Sequence, residues 1–215
     1  MPKVSEAQRE QTRSRLIDAA ISVTLAKGNG SPTTREILAE AGLSAGALYH
    51  YFDSKDELSE AIARRFVDRD WANQILPEEA TATGAIEHHA AIIGELFVER
   101  HHAILARLRA SSLENEAVRA TLGHLDALVV EHAAESNRRT QALGLFVDDI
   151  DPAVLAEMIL IFWEGLIMRD AVSSFATDRQ GVIDQFVDLL VRRVVDADHP
   201  DADRLVERLT EAARR

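Results

Sequence analysis

The sequence predicts an all-α protein, an N-terminal three-helix unit followed by a larger helical bundle. Helical spacing of apolar residues recurs along the chain, and no stretch alternates apolar and polar residues long enough to make a strand. Loop-forming residues at 28–32 and again at 42–44 cut the first 55 residues into short pieces. Two later segments, 154–172 and 182–194, are apolar on nearly every face, as a bundle core or a subunit contact requires.

The first helix is expected from about Ser5 to Lys27, with Leu16, Ala20 and Val23 at helical spacing, and Gly28-Asn29-Gly30-Ser31-Pro32 ends it. Thr33 with Glu36 three residues on is a capping-box pattern opening a short helix to Glu40 or Ala41, and Gly42 can take the left-handed backbone that closes it. Ser44 caps a further short helix through about Tyr51. Ser54 and Glu57 form a second box before a longer helix carrying Leu58, Ala61, Ile62 and Phe66. Beyond a break at Leu76-Pro77, Thr83 is expected to cap a helix reaching Ala110, and Ser112 or Leu113 to start another that ends near Gln141. Asp151-Pro152 is a strong helix start, with an N-cap side chain followed by proline at the first helical position. The tail after Asp201 holds a short amphipathic segment with Leu205, Val206 and Leu209.

Charge divides the chain. Its net charge is −12, yet residues 1–55 carry seven Lys or Arg against six acids, while the remainder carries 17 bases and 30 acids. If a phosphate polymer is bound, the N-terminal quarter binds it and the acidic body stays away. No cysteine is present, which excludes a disulfide framework, a zinc finger and thiol nucleophiles, and fits a reducing cytoplasm. No apolar run approaches the roughly 20 residues that span a bilayer, so no membrane partner is expected.

The segment from Thr33 to Leu58 fits a helix-turn-helix on physical grounds. Two short helices flank Ala41-Gly42-Leu43-Ser44, with glycine where the chain reverses. Ile37, Leu43, Leu48 and Phe52 can meet beneath the turn as a small core. Ser44, Ala45, Gly46, Ala47, Tyr49 and His50 are then left on the outer side, the small ones allowing close approach to a groove floor.

With its Ile-Asp-Ala-Ala first helix, the Thr-Thr pair, Ala-Gly-Leu-Ser at the turn, Leu-Tyr-x-Tyr-Phe and Ser-Lys-Asp-Glu-Leu, the segment from about residue 10 to 65 resembles the DNA-binding domain of the TetR (tetracycline repressor) family. The resemblance implies a homodimeric repressor of about nine helices, released from a near-palindromic double-stranded DNA operator by a small-molecule effector, with no cofactor. Carried over by position, Thr34 and Arg35 would lie at the phosphates, Ser44 to Ala47 and Tyr49 to Tyr51 would line the major groove, and Lys55 would hold a phosphate at a helix N-terminus. The DNA-binding domain would occupy residues 1–55 and the ligand-sensing and dimerisation domain 56–215. Leu38, where the family has a small alanine, and Asn29, where it has an apolar residue, depart from the pattern.

For the bundle the sequence offers candidates. The helices near 152–175 and 181–196 are expected to form the dimer interface. Glu164, set inside Ile161-Phe-Trp-Glu-Gly-Leu-Ile-Met168, must be paired, neutral or facing a cavity. Phe97, His101, Leu128, Trp163, Glu164 and Met168 are pocket candidates from helical position. The eight histidines raise a metal site, but His88 and His102 would lie about 21 Å apart on one helix and His124 and His132 about 12 Å, too far for either pair to chelate. No metal is therefore expected. An enzyme working through carboxylates and histidines, and a helical protein-binding adaptor, are the rival readings. No Gly-rich phosphate loop or Gly-x-Ser-x-Gly elbow supports the first.

Overall fold

The computed structural model describes residues 6–27, 32–44, 47–66, 75–96, 102–172 and 175–214. Among these lie nine α-helices: α1 (Glu6–Lys27), α2 (Thr34–Glu40), α3 (Lys55–Phe66), α4 (Ala82–Leu96), α5 (His102–Ser112), α6 (Glu116–Ala142), α7 (Pro152–Val172), α8 (Arg179–Val194) and α9 (Ala202–Ala212). A single 3-10 turn, Leu48–His50, stands between α2 and α3. The described residues form no strand, only an isolated antiparallel bridge between Phe146 and Val195.

The chain divides into two compact units, residues 1–70 with 100–125 and residues 71–99 with 126–215. This differs from the division at residue 55. The first three helices alone would leave α1 and α3 with an apolar side uncovered, and α5 packs there with Ile104, Leu105 and Leu108 buried.

In the first unit, Leu16, Ile17 and Ala20 of α1 pack with Ile37 and Leu38 of α2, with Leu48 and Phe52, and with Leu58 and Ala61 of α3. Leu38 is thus a core residue, and the larger side chain fills space between α1 and α2. Asn29 lies outside the described residues.

Along the rest of the chain two sequence boundaries move. The span expected as one helix from Thr83 to Ala110 holds α4 and α5, and residues 97–101 between them lie outside the described residues. The cap of α4 is Thr81, whose Oγ1 accepts from Gly84 N at 3.2 Å, because a helix starts where a hydroxyl meets its first free N–H groups. For the same reason α6 starts at Glu116 rather than near residue 112: Asn115 Oδ1 accepts from Val118 N at 3.0 Å. The start at Asp151-Pro152 stands, with Asp151 Oδ1 accepting from Ala153 N and Val154 N. Helix α6 ends in a Schellman closure at Gly144 (φ 75°), where Gly144 N bonds Gln141 O and Leu145 N bonds Thr140 O.

Helix α9 lays Leu205 and Leu209 against α4 and α8, and Arg208 pairs with Glu87 of α4 at its edge. Helix α7 is two-sided: Leu155, Leu160, Trp163, Leu166 and Ile167 are buried, whereas Val154, Met158 (57% exposed) and Ile161 (59%) face outward. Phe162 stacks on Phe186 of α8 at 3.5 Å, and α8 exposes Leu189. No described helix is long and apolar enough to cross a membrane.

Candidate nucleic-acid interface and buried cavity

The turn between α2 and the 3-10 segment is built by two devices. At its start Thr33 caps α2: its hydroxyl accepts from Glu36 N, and the Glu36 carboxylate accepts from Thr33 N at 2.8 Å, a complete capping box. Lys27 closes on the same carboxylate at 2.7 Å, and this hydrogen bond, with those from Thr33, holds Glu36 down to about 2. At its end Gly42 sits at φ 64°, Gly42 N bonds Ala39 O and Leu43 N bonds Leu38 O, so the reversal is a Schellman motif with Leu43 packed on the core. Only glycine takes this backbone without strain.

The short helix expected from Ser44 to Tyr51 is not an α-helix over its described part. Ala47 N bonds Ser44 O, His50 N bonds Ala47 O and Tyr51 N bonds Leu48 O, each an i to i+3 link. So tight a winding suits a segment whose ends are pinned by the Gly42 closure and by buried Leu48 and Phe52. Ala45 and Gly46 lie outside the described residues. Tyr49 is 60% exposed, Ser44 and His50 are exposed, and Ala47 and Tyr51 are half-buried against the core.

Six cations of the first unit take two kinds of position. Arg9 donates to His50 O, Arg15 to Ala41 O, Arg65 to Ser14 Oγ, and Arg13 lies over the Phe52 ring at 4.9 Å. Arg9, Arg13 and Arg15 fasten the turn to α1, and Arg65 ties α3 to α1. Arg35 and Lys55 are exposed and pair with no acid among the described residues. Thr34 is half-buried at the first position of α2, and Lys55 opens α3, whose first turn is capped by Ser54 Oγ accepting from Glu57 N at 3.1 Å. Glu57 itself accepts from Asp53 N rather than completing the box on Ser54.

The second unit holds a partly open cavity of about 100 Å³ between α4, α6 and α7. Of the six residues expected to form a pocket, Trp163 lines it, with its indole N–H donating to Leu96 O at 2.5 Å. Leu128, Glu164 and Met168 are half-buried but do not line it: they stand on α6 and α7 at angles turned from the wall that Val129, His132, Leu160 and Trp163 present. Glu164 is not exposed, and its Oε1 is shielded from solvent. Phe97 and His101 lie outside the described residues.

Several lining residues are not among those expected from the sequence, His89, Ser136 and Asn137 among them, and His132 enters there only in a histidine pair set aside as too far apart to chelate. Helical polar residues that turn inward are the available signal: Ser136, Asn137 and Thr140 are buried on α6. His89 Nε2 meets Thr140 Oγ1 at 2.8 Å, and His88 Nε2 meets Ser136 Oγ at 3.2 Å. Burial, then the neighbouring His88, pushes His89 down to about 3, and burial also lowers His88, so the inward histidine is a neutral ring. No cluster of three His, Asp or Glu able to hold a metal is formed among the described residues.

Comparison with known proteins agrees with this geometry. Residues 16–62 match the family profile described as bacterial regulatory proteins, tetR family. The chain is 26% identical over 164 residues to the HTH-type transcriptional regulator UidR of Escherichia coli K12, covering 75% of this chain and 83% of that protein. It is 39% identical over 56 residues to the HTH-type transcriptional repressor KstR2 of Rhodococcus jostii, covering 26% of this chain and 28% of that one. A transcriptional regulator from Saccharomonospora viridis, solved in complex with choline, shares the fold with a TM-score of 0.71 at 18% identity, over 87% of this chain and 99% of that one.

Proposed function

Because the chain belongs to the tetR family of bacterial regulatory proteins, we propose that it is a homodimeric repressor that leaves a near-palindromic operator when a small molecule enters the cavity of its second unit. The observation that carries the DNA half is the pair of outward cations, Arg35 and Lys55, flanking a turn on which Arg9, Arg13 and Arg15 of α1 are spent holding its shape. Thr34 and these two cations grip phosphates, while Ser44 to Ala47 and Tyr49 to Tyr51 face the major groove. In the dimer the two turns address sites about 34–36 Å apart, one turn of DNA. The protein works in the cytoplasm and not as an enzyme.

The outward apolar faces of α7 and α8, with Met158, Ile161 and Leu189, form the dimer contact. Met158→Glu should give a monomer in sedimentation at concentrations where the wild type is a dimer; a dimeric variant would move the interface elsewhere. For release, the effector must bind the DNA-incompetent state more tightly, since equal affinity shifts nothing.

The deciding experiment is a gel shift with duplex DNA flanking the chain's own gene. Lys55→Ala should weaken binding and lower the slope of log affinity against log salt by about 0.9 for each phosphate that a subunit no longer neutralises. Unchanged affinity and slope would remove Lys55 from the interface, and failure of the wild type to bind duplex at low salt would remove DNA altogether.

A further inference from the structure

The chemistry of the cavity wall narrows what can occupy it; this step rests on reading the second unit as the sensor. The wall is formed by apolar side chains, the Trp163 ring, two histidines, a serine and an asparagine, and no Lys, Arg, Asp or Glu among the described residues reaches it. A charged molecule entering would lose its hydration with no opposite charge to meet, so the site selects against ions of either sign.

The polar groups on the wall are mostly committed. Trp163 Nε1 donates to Leu96 O, the Asn137 amide nitrogen donates to Pro152 O at 3.2 Å, His89 Nε2 is engaged with Thr140, and Ser136 Oγ accepts from Leu76 N at 2.9 Å. His132 differs. It lines the same cavity as a half-buried residue, and its Nδ1 has no hydrogen-bond partner among the described residues and almost no accessible surface, so an occupant meets it by displacing the atoms that now cover it. A buried imidazole nitrogen left so is costly, and an occupant that supplies the missing bond removes the cost.

Size adds a limit. A second cavity of about 40 Å³ adjoins the first and shares His89, Ile93, Asn137 and Ile159 as walls. The two together are comparable to the apolar space of roughly 150 Å³ that holds one benzene ring.

We propose that the effector is an uncharged, mainly apolar molecule of about one ring in bulk, carrying a hydroxyl group that hydrogen-bonds His132 Nδ1. A hydroxyl suits the site because it can donate to or accept from the ring, whichever nitrogen carries the proton.

The test is calorimetric titration of the full-length protein, without DNA, with four probes that share a ring: benzyl alcohol, toluene, benzoate and benzylammonium. Benzyl alcohol should bind about tenfold more tightly than toluene, the worth of one buried hydrogen bond, and neither ion should bind at the concentrations that saturate with the alcohol. His132→Phe should erase the preference for the alcohol while toluene still binds, and His132→Asn should keep part of it. Equal affinity for the alcohol and toluene, binding of either ion as tightly as the alcohol, or no binding of any probe would each overturn the proposal. Should His132→Phe fail to fold, as judged by its helical circular dichroism, the ordering of the four probes on wild-type protein decides alone. Protein that binds operator but no neutral probe refutes this inference only, whereas protein that binds the alcohol but no duplex refutes the regulator reading.

Discussion

The two units hold their shapes by different means. In the first, polar hardware at fixed positions does much of the work: the Thr33–Glu36 box, the Gly42 closure, and arginines reaching across to Ala41, His50 and Ser14. In the second, long helices meet through apolar faces, and the polar groups that matter are few and turned inward on α4 and α6. A surface that must match a phosphate backbone has to fix its own backbone, so particular residue types recur at particular places. A cavity for a small molecule can be walled by almost any apolar residues and leaves little trace in a sequence.

The largest effect that separates the units is expected at Phe52, which is 1% exposed in the core beneath the turn. Phe52→Ala should cost about 3–5 kcal/mol in urea unfolding and abolish operator binding. A variant with intact operator binding would show that the turn does not depend on that core.

Acid should strike the second unit through His89. The unfolded chain takes up a proton near its ordinary 6.5, whereas the folded ring resists until about 3. As pH falls through that window stability drops, by up to about 1.4 kcal/mol per pH unit for one such group; below about 3 both states are protonated and the loss is complete. His89→Gln should flatten the dependence between pH 6.5 and 4 relative to wild type. Parallel curves for the two proteins would mean that His89 titrates while folded.

The smallest of the three changes is Thr33→Ala, which removes one side of the capping box and should cost about 0.5–2 kcal/mol, seen as a lowered urea midpoint with the slope unchanged. An unaltered midpoint would mean that the first unit does not rely on its caps.

The same contrast explains what is legible in the sequence. Thr33, Gly42 and Asp151-Pro152 announce element ends correctly because each supplies a local backbone partner or conformation. The segment at 44–51 has a plausible cap and reads as a helix, but tertiary anchoring of Leu48 and Phe52 winds its described part more tightly. The starts of α4 and α6 differ from the expected ones by two to four residues, since Thr81 and Thr83, or Ser112 and Asn115, look alike as caps until the packing chooses between them. Trp163 stands out by its place in an apolar run, and it does line the cavity. Leu128, Glu164 and Met168 share the same kind of pattern and do not, because periodicity gives a face without saying which neighbour that face meets.

Trp163 also makes the cavity visible. Its indole is buried and bonded to Leu96 O, so its emission should lie toward the blue and respond when that bond or the surrounding space changes. The chain has only one other tryptophan, Trp71. Trp71→Phe would leave a single tryptophan seated in the wall, a built-in optical gauge that reports occupancy without a label, even for an occupant with no colour of its own.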